Sequence, residues 1–202
     1  MIELFSANTP NGWKISIMLE EIGYEYKVTK VDLTKDEQFK SQFLKISPFG
    51  KIPVIIDHEN NMSIFESGAI LMYLGDKSGK FYTEKDKLII NQWLMAQMGT
   101  VGPMIGQHHQ FHHYNPGKSK FGEERYFKIT KRIYGELDSR LKDSKFLAGP
   151  DYTIADIATW PWIARHEWHD IGLKNYKNLS RWYLQIADRE AVAKGYSFMD
   201  KE

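Results

Sequence analysis

Residues 2–14, Ile-Glu-Leu-Phe-Ser-Ala-Asn-Thr-Pro-Asn-Gly-Trp-Lys, decide how the chain begins to fold. The apolar start of this stretch predicts a short strand, and the polar turn after it contains Pro10 and Gly12, which permit a tight passage into a helix. Thr9 and Asn11 place a hydroxyl and an amide beside the free backbone N–H groups of that helix start. The stretch therefore predicts a strand that leads directly into a capped helix.

A second strand follows this helix. Apolar residues recur with helical spacing up to Gly23, a typical residue for a helix C-terminus, and Tyr26–Val31 alternates like a half-buried strand. A strand, a helix and a strand within about thirty residues form a βαβ unit. Such a unit crosses over right-handed with its strands parallel.

A hairpin and another helix come next. Val54–Asp57 and Met62–Phe65 flank the turn-rich residues 58–61, which predicts two antiparallel strands. The apolar pattern from Ser67 to Lys77 predicts the following helix. With a short helix around residues 39–44, these elements describe a small four-stranded α/β domain.

The remainder of the chain carries only helical patterns. Residues 86–112 predict a helix bent near Pro103, because a proline removes a hydrogen-bond donor and clashes one turn back. Residues 124–142 have an apolar residue every fourth position, which predicts an amphipathic helix. Thr153 and Asp156 have the spacing of a capping box at the start of a further helix. The sequence thus predicts an α/β domain at 1–79, a linker at 80–85 and an all-helical domain at 86–202.

The composition argues against several classes of function. Lys+Arg 27 against Asp+Glu 26 leaves a formal net charge of +1, so no global field attracts nucleic acid or an anionic membrane. The first twenty residues lack a basic start followed by a long apolar run, so we expect no signal peptide, no membrane span and a cytoplasmic location. Cysteine is absent, so any sulfur chemistry must use sulfur that a ligand brings.

The start of the first helix is a candidate site for an anion. A helix N-terminus carries roughly half a positive charge, which stabilises a thiolate as readily as a phosphate or a carboxylate. Taken alone, the simpler interpretation is that Thr9 or Asn11 only caps the helix.

Two further stretches carry polar groups to the same edge of the predicted sheet. Pro53 fits the first residue of a strand, and by itself predicts an ordinary trans bond; a cis bond would turn the Ile52 backbone outward, towards a ligand's peptide groups. Ser67 predicts the N-cap of the next helix, while Glu66 offers a carboxylate for an ammonium. Together with the turn at Thr9, these groups would form a site for a small zwitterionic peptide.

The histidine-rich run at residues 107–113 has three interpretations. His108 and His112, or His109 and His113, are four residues apart and could share a helix face as a zinc-binding pair. The run has no acidic residue and no evident third ligand, so we predict no metal site. Two alternatives remain. The run could form a wall of a substrate-binding cleft, or it could be a solvated helix end.

The order of these motifs resembles that of the cytosolic glutathione transferases, whose first domain is thioredoxin-like. The matching stretches are Thr9-Pro-Asn-Gly12, Gln38, Lys51-Ile-Pro53, Glu66-Ser67 and Thr153-Ile-Ala-Asp156. The resemblance extends to the nu-class-like disulfide-bond oxidoreductases, which share sequence blocks such as Ile-Ser-Pro, Phe-Glu-Ser-Gly-Ala-Ile and Gly-Pro-Met with this chain. The resemblance covers nearly the whole chain and implies the glutathione transferase fold, a βαβ-ββα domain followed by a helical bundle, and a homodimer.

The resemblance also implies where glutathione binds. It implies a cis bond at Pro53, with the Ile52 backbone pairing with the cysteinyl part of glutathione, and it places the γ-glutamyl end at Glu66 and Ser67. The remaining matched positions are Gln38 and Lys51 near the glycyl carboxylate, Arg132 as a further glutathione-binding residue, and Thr9 and Asn11 facing the sulfur atoms.

The activity implied by the resemblance is glutathione-dependent disulfide reduction. Bound glutathione, ionised at the helix start, attacks a small or exposed disulfide, and a second glutathione resolves the product. Many transferases use a tyrosine, serine or cysteine at the opening position, and this chain departs from that pattern, with Ser6 a weaker candidate than Thr9. The alternatives are a transferase that conjugates glutathione to electrophiles, and a non-catalytic glutathione-binding or interaction protein.

Overall fold

The computed structural model describes residues 1–198 and divides the chain into two compact units. Within the described residues, the first unit comprises residues 1–83 together with residues 188–198, and the second comprises residues 84–187. The sequence prediction differs, because it assigned everything after residue 85 to one helical domain. Residues 199–202 of that predicted domain lie outside the described residues.

The described residues form four strands and nine α-helices. The strands are β1 (Ile2–Ser6), β2 (Tyr26–Lys30), β3 (Val54–Asp57) and β4 (Met62–Phe65). The helices are α1 (Pro10–Ile22), α2 (Ser41–Leu44), α3 (Ser67–Ser78), α4 (Lys87–Ala96), α5 (Gly102–His108), α6 (Lys120–Lys142), α7 (Ile154–Ile163), α8 (Lys177–Ala187) and α9 (Glu190–Tyr196).

The four strands form one mixed sheet in the order β2-β1-β3-β4. Strands β1 and β2 are parallel, whereas β3 is antiparallel to both β1 and β4. The predicted βαβ unit and the predicted hairpin are both confirmed. A four-stranded sheet with helices, followed by helices alone, is the predicted α/β plus all-α fold class.

Helix α1 begins and ends where its local sequence predicts. Thr9 is the N-cap, and its Oγ1 accepts a hydrogen bond from the backbone N–H of Gly12 at 3.2 Å. Gly23 ends the helix in the left-handed conformation, at φ 75°, where a residue without Cβ carries no steric penalty. Between these ends, nearly all of the α1 side chains are buried.

Helix α9 belongs to the first unit because it packs closely on α1. The Ser16 hydroxyl donates to the Gly195 carbonyl at 2.6 Å, and the rings of Trp13 and Tyr196 lie 4.3 Å apart. A Cβ on Gly195 would lie 2.5 Å from the Cα of Ile17. The absence of a side chain at Gly195 therefore allows the two helix backbones to approach, which explains why the end of the chain departs from the predicted domain boundary.

The second unit is helical, as predicted. A π-helical turn at Gln97–Val101 separates α4 from α5, and Pro103 lies in the first turn of α5. The irregularity expected near Pro103 thus takes the form of a π-helical turn. Helix α6 begins four residues before the predicted range of 124–142, because the Ser119 hydroxyl accepts from the Gly122 N–H at 3.1 Å and caps it there.

The predicted capping box at the start of α7 is confirmed. The Thr153 side chain caps the helix, and Asp156 accepts from the Thr153 backbone N–H at 3.1 Å. The buried Asp156 carboxylate also accepts from the Leu147 N–H at 2.9 Å and from the Trp182 indole at 2.8 Å. Asp156 therefore ties the start of α7 to a neighbouring loop and to α8.

Across residues 1–198, no helix combines the length and the apolar character that crossing a membrane requires.

Candidate functional site

The register of the sheet brings three chain segments to the same end of the strands in the first unit. Phe5 on β1 pairs with Val54 on β3, and Val54 pairs with Phe65 on β4. The turn at Thr9 follows the first of these residues, Pro53 precedes the second, and Glu66 follows the third. Because the strands are antiparallel there, the three polar segments predicted from sequence lie at the same end of the sheet.

The turn before α1 is fixed by close packing. A Cβ on Gly12 would lie 2.4 Å from both the Ala7 carbonyl oxygen and the Ser6 Oγ. Ser6 itself is fully buried, and its hydroxyl donates weakly to the Ala7 carbonyl at 3.4 Å. Burial of Ser6 agrees with its low rank as a candidate, whereas Thr9 and Asn11 are partly exposed.

The start of α1 is electrostatically suited to an anion. Its first turn, which lies within the described residues, carries no acidic side chain, so the positive end of the helix dipole is not neutralised locally. The Thr9 hydroxyl accepts the Gly12 N–H, yet it keeps its own hydrogen to donate. Asn11, the second residue of the helix, brings an amide to the same turn. Thr9 is therefore a cap, as the simpler interpretation held, and can donate at the same time.

The loop before β3 contains a cis peptide bond between Ile52 and Pro53. The cis bond implied by the family resemblance is present, and the trans bond predicted from Pro53 alone is wrong. The β1–β3 pairing ends at Val54 within residues 1–198, so Ile52 lies beyond the last paired residue of the ladder.

Ser47, which sequence reasoning missed, holds this loop in place. The buried Ser47 hydroxyl accepts from the Lys51 N–H at 3.0 Å and donates to the Lys51 carbonyl at 2.8 Å. Both backbone groups of Lys51 are therefore fixed, while its side chain is exposed. A serine before a Pro-Phe-Gly turn is the one local signal that could have indicated this role.

Gln38 lies beside the same loop. A Cβ on Gly50, which has φ 59°, would lie 3.0 Å from the Gln38 carbonyl oxygen and 2.7 Å from the Phe39 ring. Gln38 is buried, its Nε2 donates to Asp36 at 3.4 Å, and its Oε1 has no hydrogen-bond partner within the described part of the chain. Since a buried unsatisfied oxygen is costly, Gln38 Oε1 is available to a donor on a ligand.

The start of α3 differs from the prediction. Glu66, not Ser67, occupies the N-cap position, with a positive φ of 69°, and Ser67 is the first helical residue. The Glu66 carboxylate is exposed, whereas only 6% of Ser67 is exposed. The prediction of Ser67 as the N-cap is therefore wrong, because Glu66 takes that position and the Ser67 hydroxyl accepts a hydrogen bond from a buried side chain.

That contact is with Lys14, a second residue that sequence reasoning missed. The Lys14 Nζ lies 3.2 Å from the Ser67 Oγ, and 1% of Lys14 is exposed. Burial lowers the pKa of Lys14 to about 7, while the charge of Glu66 acts in the opposite direction. A lysine in an amphipathic helix is ordinarily exposed, so the residues around Lys14 do not indicate that it is buried.

Arg132 belongs to the second unit. It lies on α6, is 81% exposed on its side chain, and forms an ion pair with Glu136 one turn along, at 3.8 Å. Its exposed guanidinium can bind a carboxylate.

Two residues of the histidine run at 107–113 are buried in the second unit. His108 and His109 are buried, and His109 Nε2 lies 2.7 Å from Nε2 of His169, whose Nδ1 lies 2.6 Å from the Tyr134 hydroxyl. Burial lowers the pKa of both His109 and His169, so both are neutral at pH 7. The alternative of a solvated helix end is wrong for His108 and His109, although His113 is exposed. Residues 1–198 contain no group of three or more histidine, aspartate or glutamate side chains placed to hold a metal.

Comparison with known proteins identifies the family. The family "Glutathione S-transferase, N-terminal domain" matches residues 1–76, and "Glutathione S-transferase, C-terminal domain" matches residues 95–190. Disulfide-bond oxidoreductase YfcG of Escherichia coli (strain K12) is 44% identical over 199 residues, covering 95% of this chain and 93% of YfcG.

Solved structures agree with this similarity. A glutathione transferase of Burkholderia graminis, with two glutathione molecules bound per subunit, has a TM-score of 0.93 at 35% identity, covering 100% of this chain and 89% of that one. A glutathione transferase of Pseudomonas putida, with one glutathione disulfide bound per subunit, has a TM-score of 0.89 at 39% identity, covering 96% and 90%. The chain therefore belongs to the glutathione S-transferase family.

Proposed function

We propose that this protein is a glutathione-dependent disulfide-bond reductase that uses the thiolate of bound glutathione as its nucleophile. One observation carries the proposal: the start of α1, which is capped by Thr9 and suited to an anion, lies at the same end of the sheet as a cis-proline loop and Glu66. Because the chain has no cysteine, the thiolate must come from the ligand. The similarity to a disulfide-bond oxidoreductase and to structures with bound glutathione or its disulfide supports it.

The backbone and the start of α3 would hold the peptide part of glutathione. The Ile52 backbone lies beyond the β1–β3 ladder and can pair with the cysteinyl N–H and C=O. Glu66 offers an exposed carboxylate to the γ-glutamyl ammonium, while Ser67 at the start of α3 offers its N–H to the neighbouring α-carboxylate.

The glycyl end would be held by the residues around the Ser47 loop. Gln38 has a buried Oε1 that can accept an amide N–H, and Lys51 has a fixed backbone and an exposed ammonium for the carboxylate. We include Arg132 as a further glutathione-binding residue on account of its exposed guanidinium.

The sulfur would lie at the start of α1. Donation by the Thr9 hydroxyl and the Asn11 amide favours the thiolate over the thiol, because hydrogen bonds to charged groups contribute about 1–3 kcal/mol. That difference lowers a thiol pKa by about one to two units. Glutathione would then be largely ionised near neutral pH, without a protein thiol or a metal.

The reaction balances with two molecules of glutathione. The first thiolate attacks one sulfur of the substrate disulfide, which forms a mixed disulfide and releases the other sulfur as a thiolate. The second glutathione thiolate attacks the glutathione sulfur of that mixed disulfide, which forms glutathione disulfide and releases the substrate's second thiolate. The substrate gains two electrons, and the two glutathione molecules lose them.

Variants at the start of α1 test this function. We expect Asn11→Ala and Thr9→Val to lower kcat/KM for reduction of a small disulfide by about 10- to 100-fold. Thr9→Ser keeps both the cap and the donor and is expected to stay near the unaltered rate. Unchanged rates in both Asn11→Ala and Thr9→Val would contradict the mechanism. Conjugation of an aryl halide, measured in parallel, separates reduction from transferase activity.

We also propose that the protein works as a homodimer on small thiols and disulfides in the cytoplasm. A reductase that consumes glutathione requires a compartment in which reduced glutathione is maintained, and the dimer is expected from the family. Sedimentation equilibrium tests the dimer, which a single species at the monomer mass of 23.6 kDa would contradict.

A further inference from the structure

Lys14 is the most deeply buried charged side chain near the proposed glutathione site. It is the fifth residue of α1, and 1% of it is exposed. Lysine is almost never this buried unless a partner or a function retains it, because removing an ammonium from water costs several kcal/mol. An apolar side chain would fill the same space without that cost. The contacts of Lys14 therefore indicate what such a buried ammonium could do.

The surroundings of Lys14 point to the start of α3. Its Nζ lies 3.2 Å from the Ser67 Oγ, and the charge of the Glu66 carboxylate raises its pKa. Helix α9 also packs on α1, and its charged side chains Lys194 and Glu190 form an ion pair with each other. Arg189, directly before α9, pairs with Glu21 of α1. Burial dominates and lowers the pKa of Lys14 to about 7. Without a ligand, Lys14 therefore exchanges its proton near neutral pH.

The Ser67 hydroxyl connects Lys14 to whatever binds at the start of α3. When the Lys14 ammonium donates to the Ser67 oxygen, the Ser67 hydrogen must be donated to another acceptor. A carboxylate bound at the first turn of α3 is such an acceptor, and its negative charge favours an ammonium behind the hydroxyl. Neutral Lys14 offers less stabilisation to the same carboxylate.

We propose that Lys14 is a positioning residue that acts through Ser67, and that its protonation increases when the γ-glutamyl carboxylate of a glutathione-type ligand binds at the start of α3. This inference rests on the proposed function, because it needs the γ-glutamyl end at Ser67. The inference adds that the glutathione site is regulated by pH: the affinity for a glutathione-type ligand depends on pH even when the sulfur of the ligand does not ionise.

The size of the effect follows from linkage. A carboxylate within about 4–6 Å raises the pKa of a lysine by one unit or more. For a rise of about one to two units from a starting pKa of about 7, binding at pH 8 takes up roughly 0.4 to 0.8 of a proton. The dissociation constant then rises about 5- to 25-fold between pH 7 and pH 9.

Isothermal titration calorimetry with S-methylglutathione tests the proposal. The methyl group blocks the thiol, so its ionisation contributes no proton. Titrations at pH 8 in two buffers of different ionisation enthalpy give the number of protons exchanged. We expect uptake by the unaltered protein and by Lys27→Met, a control with an exposed lysine on β2. We expect Lys14→Met to lose that uptake. Subtracting the proton number of Lys14→Met from that of the unaltered protein removes any proton taken up by the ammonium of the ligand itself.

Two further variants separate positioning from packing. Lys14→Arg keeps a charge that does not titrate, so it should restore the affinity of Lys14→Met without restoring the proton uptake. In a double-mutant cycle with Ser67→Ala, adding Lys14→Met should change the affinity by less than twofold, since Lys14 acts through Ser67. Thermal unfolding of each variant establishes that the fold is retained.

The outcomes are distinguishable. Equal proton uptake and an equal pH profile in Lys14→Met and the unaltered protein would overturn the inference while leaving the proposed function intact. A full effect of Lys14→Met in the Ser67→Ala background would overturn the connection through Ser67. Failure of the unaltered protein to bind S-methylglutathione would overturn the proposed function, and this inference with it.

Discussion

Each compact unit contains buried basic side chains, but the groups around them differ between the two units. In the first unit, Lys14 contacts Ser67 at 3.2 Å at the start of α3, and an exposed carboxylate, Glu66, lies nearby. In the second unit, His109 and His169 contact each other at 2.7 Å, and His109 stacks on Trp162 with ring centroids 5.9 Å apart. The depth of burial is similar, but only Lys14 has a hydroxyl and a carboxylate that lead to a proposed ligand site.

The protonation states follow from this difference. Lys14 has a pKa of about 7 and therefore changes charge near neutral pH. Burial lowers the pKa of His109 and His169 far enough that they stay neutral there. The arrangement that satisfies all three groups has Tyr134 donate to Nδ1 of His169, while Nε2–H of His169 donates to His109. A buried base is thus a candidate for function when it can still exchange its proton.

The largest expected effect is on stability at Lys14. Its folded pKa of about 7 lies below the ordinary lysine value of 10.5, so protonation favours the unfolded chain, and this cost is greatest at and below pH 7. We expect Lys14→Met to raise the free energy of unfolding at pH 7 by about 2–4 kcal/mol. Urea denaturation measures it.

The same measurement repeated at pH 9 sharpens the test. The unaltered protein should gain about 2 kcal/mol relative to Lys14→Met between pH 7 and pH 9, because Lys14 loses its proton in the folded state first. A Lys14→Met protein that is less stable than the unaltered one at both pH values would show that Lys14 is held by favourable pairing, like an ordinary structural ion pair.

A smaller effect of related origin is expected in the second unit. Because the pKa values of His109 and His169 are lowered on folding, their contribution to stability is present above pH 6.5 and is lost as the pH falls below it. We expect this pair to reduce the free energy of unfolding by about 2 kcal/mol between pH 7 and pH 5.5.

The double variant His109→Gln/His169→Gln should flatten that loss, since glutamine does not titrate. The exposed His113, changed to Gln, is the control from the same segment and should leave the pH dependence as it is. A double variant with the same acid sensitivity as the unaltered protein would mean that other groups titrate in this range.

The smallest expected effect is at Arg132. Its ion pair with Glu136 is exposed and long, at 3.8 Å, and such pairs contribute about 0.3–0.5 kcal/mol. Arg132→Ala should therefore change the free energy of unfolding by less than about 0.5 kcal/mol, while raising KM for glutathione. Lys131→Ala on the same helix is the control. An unchanged KM in Arg132→Ala would remove Arg132 from the glutathione site.

Features set by neighbouring residues could be predicted from the sequence. Thr9 and Gly23 fix the two ends of α1 through contacts within a few residues, and the alternation of β3 and β4 fixes their hairpin. The family resemblance added the cis bond at Pro53, which X-Pro statistics alone argue against.

Features set by distant residues could not be predicted. Ser67 has a typical capping sequence, but its hydroxyl is occupied by Lys14, which is 53 residues away in the chain. Helix α9 returns to α1 through the Ser16–Gly195 hydrogen bond, which spans 179 residues. Local propensity carries no information about such contacts, and they decide which lysine is buried and where the first unit ends.

The central claim is that the start of α1 ionises the sulfur of bound glutathione. Ultraviolet titration of the thiolate absorbance of glutathione bound to the protein tests it most directly, with Asn11→Ala as the matched variant. We predict a thiol pKa about one to two units below that of free glutathione, and a partial return towards the free value in Asn11→Ala. A bound thiol that titrates at the same pH as free glutathione would contradict the claim.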